Sequence, residues 1–197
     1  ESTGCPAGSV IIKTFRSYRP YDPDDPTSPA SGLFAEWAAS EMLNRRLPDE
    51  SALASVLAGN RELGIVVLED LGAGRPLGII LEQGSPAEIQ HALDELARVL
   101  AAVHGATLGA RDAYIEIHAS MGPIPDDRSR EMYWNQAMDV LRKIGVTGHE
   151  ALLESIHHAA FLDERWSGLQ HGEVGLDNVL AIDGELKLVD FEGSLWG

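Results

Sequence analysis

The chain has 197 residues, 44% of them apolar, and a formal net charge of −16. That length suffices for one domain or two small ones with a sizeable core, and the acidic balance argues against nucleic acid as a partner; it would draw a cationic small molecule, although solubility alone is its plainer reading. One cysteine, Cys5, excludes an intrachain disulfide framework, and no stretch is apolar enough to span a bilayer.

A cytoplasmic protein without a membrane partner is therefore expected, and no signal peptide is visible. The sequence opens on Glu1 in place of a methionine, so its natural start is expected to lie upstream. Ser9 to Phe15, SVIIKTF, is rich in β-branched residues and reads as a strand after the turn-forming Gly4–Gly8. Lys13 interrupts its apolar run; an edge-strand lysine facing water is the plain alternative to a functional one. Tyr18 to Ser31 holds four prolines and three aspartates and reads as a loop. Gly32 to Leu47 follows the helical period, with Leu33, Glu36, Ser40, Leu43 and Leu47 on one stripe. Glu36 is thus a carboxylate on an apolar face, which needs a partner, and Lys13 is the obvious one. Glu41, on the stripe of Phe34 and Trp37, is its rival.

Glu50 to Gly59 reads as a short helix, and Glu62 to Leu68 as a second strand running into Glu69-Asp70-Leu71-Gly72. A short helix is expected over Pro76 to Leu81. Ser85 and Pro86 supply an N-cap and an N1 proline for a long helix to about His104, with Leu93, Leu96, Leu100 and Val103 on its stripe. Gly109 to Arg128 reads as a loop with a short extended piece at Tyr114 to Ile117. Ser129 to Ile144 and His149 to Leu162 read as two further helices. The adjacent His157 and His158 point to different faces, which argues against a shared metal site.

The chemistry is concentrated between Leu169 and Trp196. His171-Gly172-Glu173 opens the stretch, and Asn178 follows five residues after Glu173. The apolar run Val179–Ile182 leads into Asp183-Gly184, a strong hairpin-turn signal. The return run Leu186–Val189 ends on Asp190-Phe191-Glu192. Phosphoryl transfer needs this kit: one carboxylate orients the acceptor hydroxyl, while an amide oxygen and a second carboxylate hold Mg²⁺ against the phosphates. The plain alternative is a solvated loop joined to an ordinary hairpin.

H-G-E-x-x-x-x-N followed by D-F-E keeps the spacing of the kinase H-R-D-x-x-x-x-N and D-F-G. It resembles the aminoglycoside phosphotransferase family, whose loop usually reads H-G-D-x-x-x-x-N. V-I-I-K at Lys13, F-A-E-W-A around Glu36, VVLEDLG up to Gly72 and the helix-ending His104 extend the resemblance over most of the chain. It implies an α+β, two-lobe protein-kinase-like fold. Residues 1–71 would be the strand-bearing lobe and hinge, and 72–197 the helical lobe with the loop and hairpin. ATP would lie between them. Lys13 would hold the α- and β-phosphates, and Glu36 would hold Lys13. The backbone of Glu69, Asp70 and Leu71 would pair with the adenine edge. Asn178 and Asp190 would bind Mg²⁺, and His171 and Gly172 would shape the loop. Glu173 would orient or deprotonate the hydroxyl of a small acceptor such as an aminoglycoside, a sugar or an amino alcohol.

Glu173 departs from the family, which has Asp there. Lys13 also lies too near Glu1 for a full glycine-rich loop before it, and the chain stops at Gly197 where the family continues through further helices. Both ends are therefore expected to be cut. These departures keep open a kinase-like protein that binds a nucleotide or a partner without transferring phosphate, and an unrelated acidic α+β binding protein is a third reading.

Overall fold

Val10–Thr14 forms β1 and pairs antiparallel with β3, Ile65–Glu69, in the register Val10↔Glu69 to Thr14↔Ile65. The computed structural model describes residues 8–14, 21–25, 30–47, 53–124, 128–146, 148–158 and 167–197. Cys5, half of the proline-rich loop, the start of the short helix expected from Glu50 and residues 159–162 of the last expected helix lie outside them.

The other edge of β3 is taken by β2, Val56–Asn60, giving the order β1-β3-β2. This corrects the helix expected over Glu50 to Gly59. Pairing with β3 satisfies a row of backbone groups that a short helix would leave to water. The strand expected from Glu62 starts instead at Ile65, because Arg61–Gly64 is the connecting turn. Asn60 Oδ1 accepts the Leu63 N–H at 3.0 Å, and Gly64 has φ +59°.

Helix α1, Ser31–Arg46, lies between this sheet and the rest of the protein. Leu33 packs with Val66 and Leu68 of β3, while Phe34, Ala38, Met42 and Leu43 enter the main core. Being covered on both sides, α1 buries residues around most of its circumference, Glu36 and Ser40 among them.

Below the sheet, β4 (Arg75–Pro76), β6 (Val179–Ile182) and β7 (Glu185–Leu188) form a second sheet in the order β4-β6-β7. Asp183 and Gly184 both have positive φ, as a tight hairpin turn requires. α2 spans Leu77–Gln83 and α3 spans Pro86–Thr107. The Glu88 N–H donates to Ser85 Oγ at 3.3 Å, so the serine caps α3. The buried stripe of α3 is Ala92, Val99, Val103 and Thr107; Leu93 is exposed, and Leu96 and Leu100 sit at the core's edge. Small residues facing inward let α3 approach closely, which turns the stripe by about one residue from the leucine pattern.

α4, Arg111–Met121, replaces the expected loop and extended piece. Tyr114, Ile117, His118 and Met121 recur at helical spacing and are buried. The alternation Tyr-Ile-Glu-Ile hid that pattern. α5 (Arg128–Lys143) and α6 (Glu150–His157) follow. β5, Leu169–Gln170, then pairs with β8, Leu195–Trp196. The Leu169 N–H donates to Thr107 Oγ1 at 2.9 Å, which anchors the following loop to α3. No helix among the described residues is long and apolar enough to cross a membrane.

Candidate active site

β1 and α1 bring two predicted residues together, and the hairpin adds a third. Lys13 Nζ donates to Glu36 Oε1 at 2.7 Å and to Asp190 Oδ1 at 2.5 Å. The rival Glu41 pairs on the surface with Arg45. The Glu36 side chain is only 2% exposed, against 35% for Asp190. Burial opposes the Lys13 charge, but the two carboxylates outweigh it and hold its pKa above the usual lysine value. Burial pushes the Glu36 carboxyl upward against the pull of Lys13, and the Asp190 charge pushes the same way. Both partners of one ion pair are thus raised. The ammonium enjoys two anions, whereas Glu36 must share one cation with a competitor.

Asp190 has φ +69° and ψ +64°, a left-handed conformation costing of order 1–3 kcal/mol for a non-glycine residue. Its neighbours enforce it. The Val189 N–H donates to the Asn178 carbonyl at 3.0 Å, and the Val189 carbonyl lies 2.9 Å from His171 Nε2. A carbonyl only accepts, so Nε2 carries the ring proton and Nδ1 takes the Glu173 N–H at 3.4 Å. Burial lowers the His171 pKa, consistent with this neutral tautomer. Phe191 is buried against the same ring, with centroids 4.2 Å apart.

Gly172 is required by its backbone. Its φ is +82°, and a Cβ there would fall 1.8 Å from the Gly193 carbonyl oxygen. Asn178 Nδ2 donates to the Glu173 carbonyl at 3.1 Å, which leaves Oδ1 as the amide's acceptor.

Lys13, Glu36, Asn178 and Asp190 line one cavity of about 410 Å³ with apolar walls that include Leu68 and Leu188. Glu69, Asp70 and Leu71 line it too. The Glu69 N–H donates to the Ser55 carbonyl at 2.9 Å. The Asp70 carboxylate takes the Ser9 hydroxyl and the Gly72 N–H, which lower its pKa. Glu173 is exposed and is absent from the described cavity lining, so this structure does not join it to the Lys13–Asp190 group.

An amide oxygen and a carboxylate in one cavity are hard donors suited to Mg²⁺, and the adjacent ammonium suits phosphate. The residues therefore fit a metal–nucleotide group. Sequence reasoning missed two features: the direct Lys13–Asp190 contact and the buried Ser194, whose Oγ donates to the Ala35 carbonyl 159 positions away. No local signal marks either.

The architecture is the α+β, protein-kinase-like fold. The solved structure of a gentamicin–APH(2″)-IIa complex is similar, with a TM-score of 0.55 and 16% identity over 95% of this chain and 60% of that one. The chain thus spans about 60% of the length of the solved chain it matches. No family model matches the chain, and the comparison with curated proteins finds no match.

Proposed function

We propose that this chain is the nucleotide-binding and catalytic part of an ATP-dependent phosphotransferase that acts on a hydroxyl of a small molecule. The observation that supports it is Lys13, held between Glu36 and Asp190 in the cavity that Asn178 also lines. In this reading residues 1–71 form the strand-bearing lobe and hinge, and residues 72–197 the helical lobe. MgATP, when bound, supplies the phosphoryl group and a metal that neutralises developing charge. Lys13 binds phosphate oxygens, and Glu36 keeps Lys13 in place. Asn178 and Asp190 hold the metal, and the Glu69–Leu71 backbone meets the base. His171 sets the loop so that Glu173 orients or deprotonates the acceptor hydroxyl.

The net charge of −16 favours a cationic acceptor, and the gentamicin in the similar structure makes an aminoglycoside the first to test. A cytoplasmic setting suits an ATP-dependent enzyme. The test is calorimetry with MgATP followed by a phosphotransfer screen over aminoglycosides, sugars and amino alcohols; absence of MgATP binding would sink the reading. A second reading, a kinase-like protein that binds nucleotide without transfer, is favoured by the exposed Glu173. It predicts MgATP binding with no phosphorylated acceptor.

A further inference from the structure

The turn that carries Asp190 is tied to α1 by a residue outside every motif. Ser194 directly follows the 3₁₀ turn Phe191–Gly193 and is 9% exposed. Its Oγ donates to the Ala35 carbonyl at 3.2 Å, and Ala35 immediately precedes Glu36. The Tyr114 phenol of α4 lies beside the same hydroxyl, which draws its pKa down. Burial outweighs that pull and takes the Tyr114 phenol up to about 12, so it stays protonated at neutral pH. Tyr114 is itself seated by Trp196, stacked at 5.7 Å and 30°. α1 meets the turn again at Gly32, where a Cβ would stand 3.2 Å from the Glu192 carbonyl oxygen.

Glu36 and Asp190 are like charges sharing one ammonium, so they tend to part unless their backbones are fixed. We propose that Ser194, through its bond to Ala35, is a positioning residue that sets the spacing between the Glu36 helix and the Asp190 turn, so that one Lys13 ammonium reaches both. Its bearing on nucleotide binding rests on the phosphotransferase reading; the spacing itself does not.

The test is acylation of Lys13 by an amine-reactive ester at one fixed pH, without nucleotide. Labelling is read by peptide mass against the exposed Lys143 of the same molecule. Ser194→Ala is expected to raise the Lys13-to-Lys143 labelling ratio about two- to tenfold, the range of one buried hydrogen bond. Ser194→Thr, which keeps the hydroxyl, should restore it, and Tyr114→Phe should raise it by less than Ser194→Ala. Should Ser194→Ala not fold, Ser194→Cys, which keeps the side chain's shape and weakens the donor, carries the same comparison. A ratio unchanged in the folded variants, whatever their melting temperatures, would overturn the proposal by leaving Ser194 a packing role alone. Protection of wild-type Lys13 by MgATP, measured in parallel, tests the phosphotransferase reading; its failure leaves the nucleotide-free comparison intact.

Discussion

Lys13 Nζ stands 2.5 Å from Asp190 Oδ1 although the two lie 177 positions apart in the chain. The same ammonium reaches Glu36 Oε1, whose companion Oε2 is buried with no hydrogen-bond partner among the described residues. Lys13→Met would remove that carboxylate's one side-chain partner among the described residues, a costly change for a buried charge. We expect Lys13→Met to destabilise the protein more than Glu36→Gln. The double variant should lose less than the sum, with a coupling of about 1–3 kcal/mol in urea unfolding. Strict additivity would mean that the pair contributes no interaction of its own.

Asp190→Asn removes a charge from the cavity but keeps the side chain's size. The fold should persist, since Asp190 is held through its neighbours' backbone contacts. Calorimetry with ATP and Mg²⁺ should then show metal-dependent binding lost. Unchanged affinity in this variant would reject Asp190 as the metal ligand.

Gly172→Ala tests the loop. The φ of +82° alone costs about 1–2 kcal/mol for a residue with a Cβ, and the Gly193 carbonyl oxygen stands where that Cβ would go. Stability should fall by more than the conformational cost, and the His171–Val189 contact should be disturbed with it. A folded Gly172→Ala protein of wild-type stability would show that the loop yields without cost.

What the sequence disclosed, and what it hid, follows from how local each interaction is. The Asp183-Gly184 turn and the Ser85 cap are local, and both were legible. Lys13 and Glu36 could be paired because one polar residue on each apolar face demands a partner. β2 was misread because a strand on a sheet edge is decided by β3, not by its own residues. α4 was misread because its buried face against α1 exists only in the fold. Ser194 looks like any exposed serine until Ala35 and Tyr114 are beside it.

His118 gives a pH dependence. Its ring is 1% exposed and sits edge-on to Tyr114, and neither nitrogen has a hydrogen-bond partner among the described residues. Burial lowers its pKa below the unfolded value of about 6.5. As pH falls through that value the unfolded chain takes up the proton first, so this stability is complete above it and declines below it. The slope is at most about 1.4 kcal/mol per pH unit for one histidine. His118→Phe keeps a ring against Tyr114 and should flatten the stability profile between pH 7.5 and 5.5, as urea midpoints will reveal. Parallel profiles for variant and wild type would exclude His118 as a source, leaving His171, which burial lowers in the same direction.

Glu173 is where the chain parts from the pattern it resembles, and its side chain is exposed while its backbone is fixed. Its carbonyl accepts from Asn178 Nδ2 at 3.1 Å and from the Gly175 N–H at 2.8 Å, and its N–H is turned to His171. With the backbone held, the extra methylene relative to aspartate must be taken up by the side chain, so the carboxylate meets an acceptor hydroxyl in looser geometry. General-base assistance contributes typically ~10²–10⁴-fold, and imperfect positioning should forfeit part of that factor, not all of it. Weak phosphotransfer is therefore expected once the right acceptor is supplied. Glu173→Asp should raise the turnover number. Glu173→Ala should lower it while leaving MgATP affinity nearly unchanged, because Glu173 does not line the cavity that holds Lys13 and Asp190. Steady-state kinetics of the three proteins, with MgATP affinities measured alongside, make the comparison. A protein that binds MgATP yet transfers phosphate to no acceptor, either as wild type or as Glu173→Asp, would decide for a nucleotide-binding protein without catalysis.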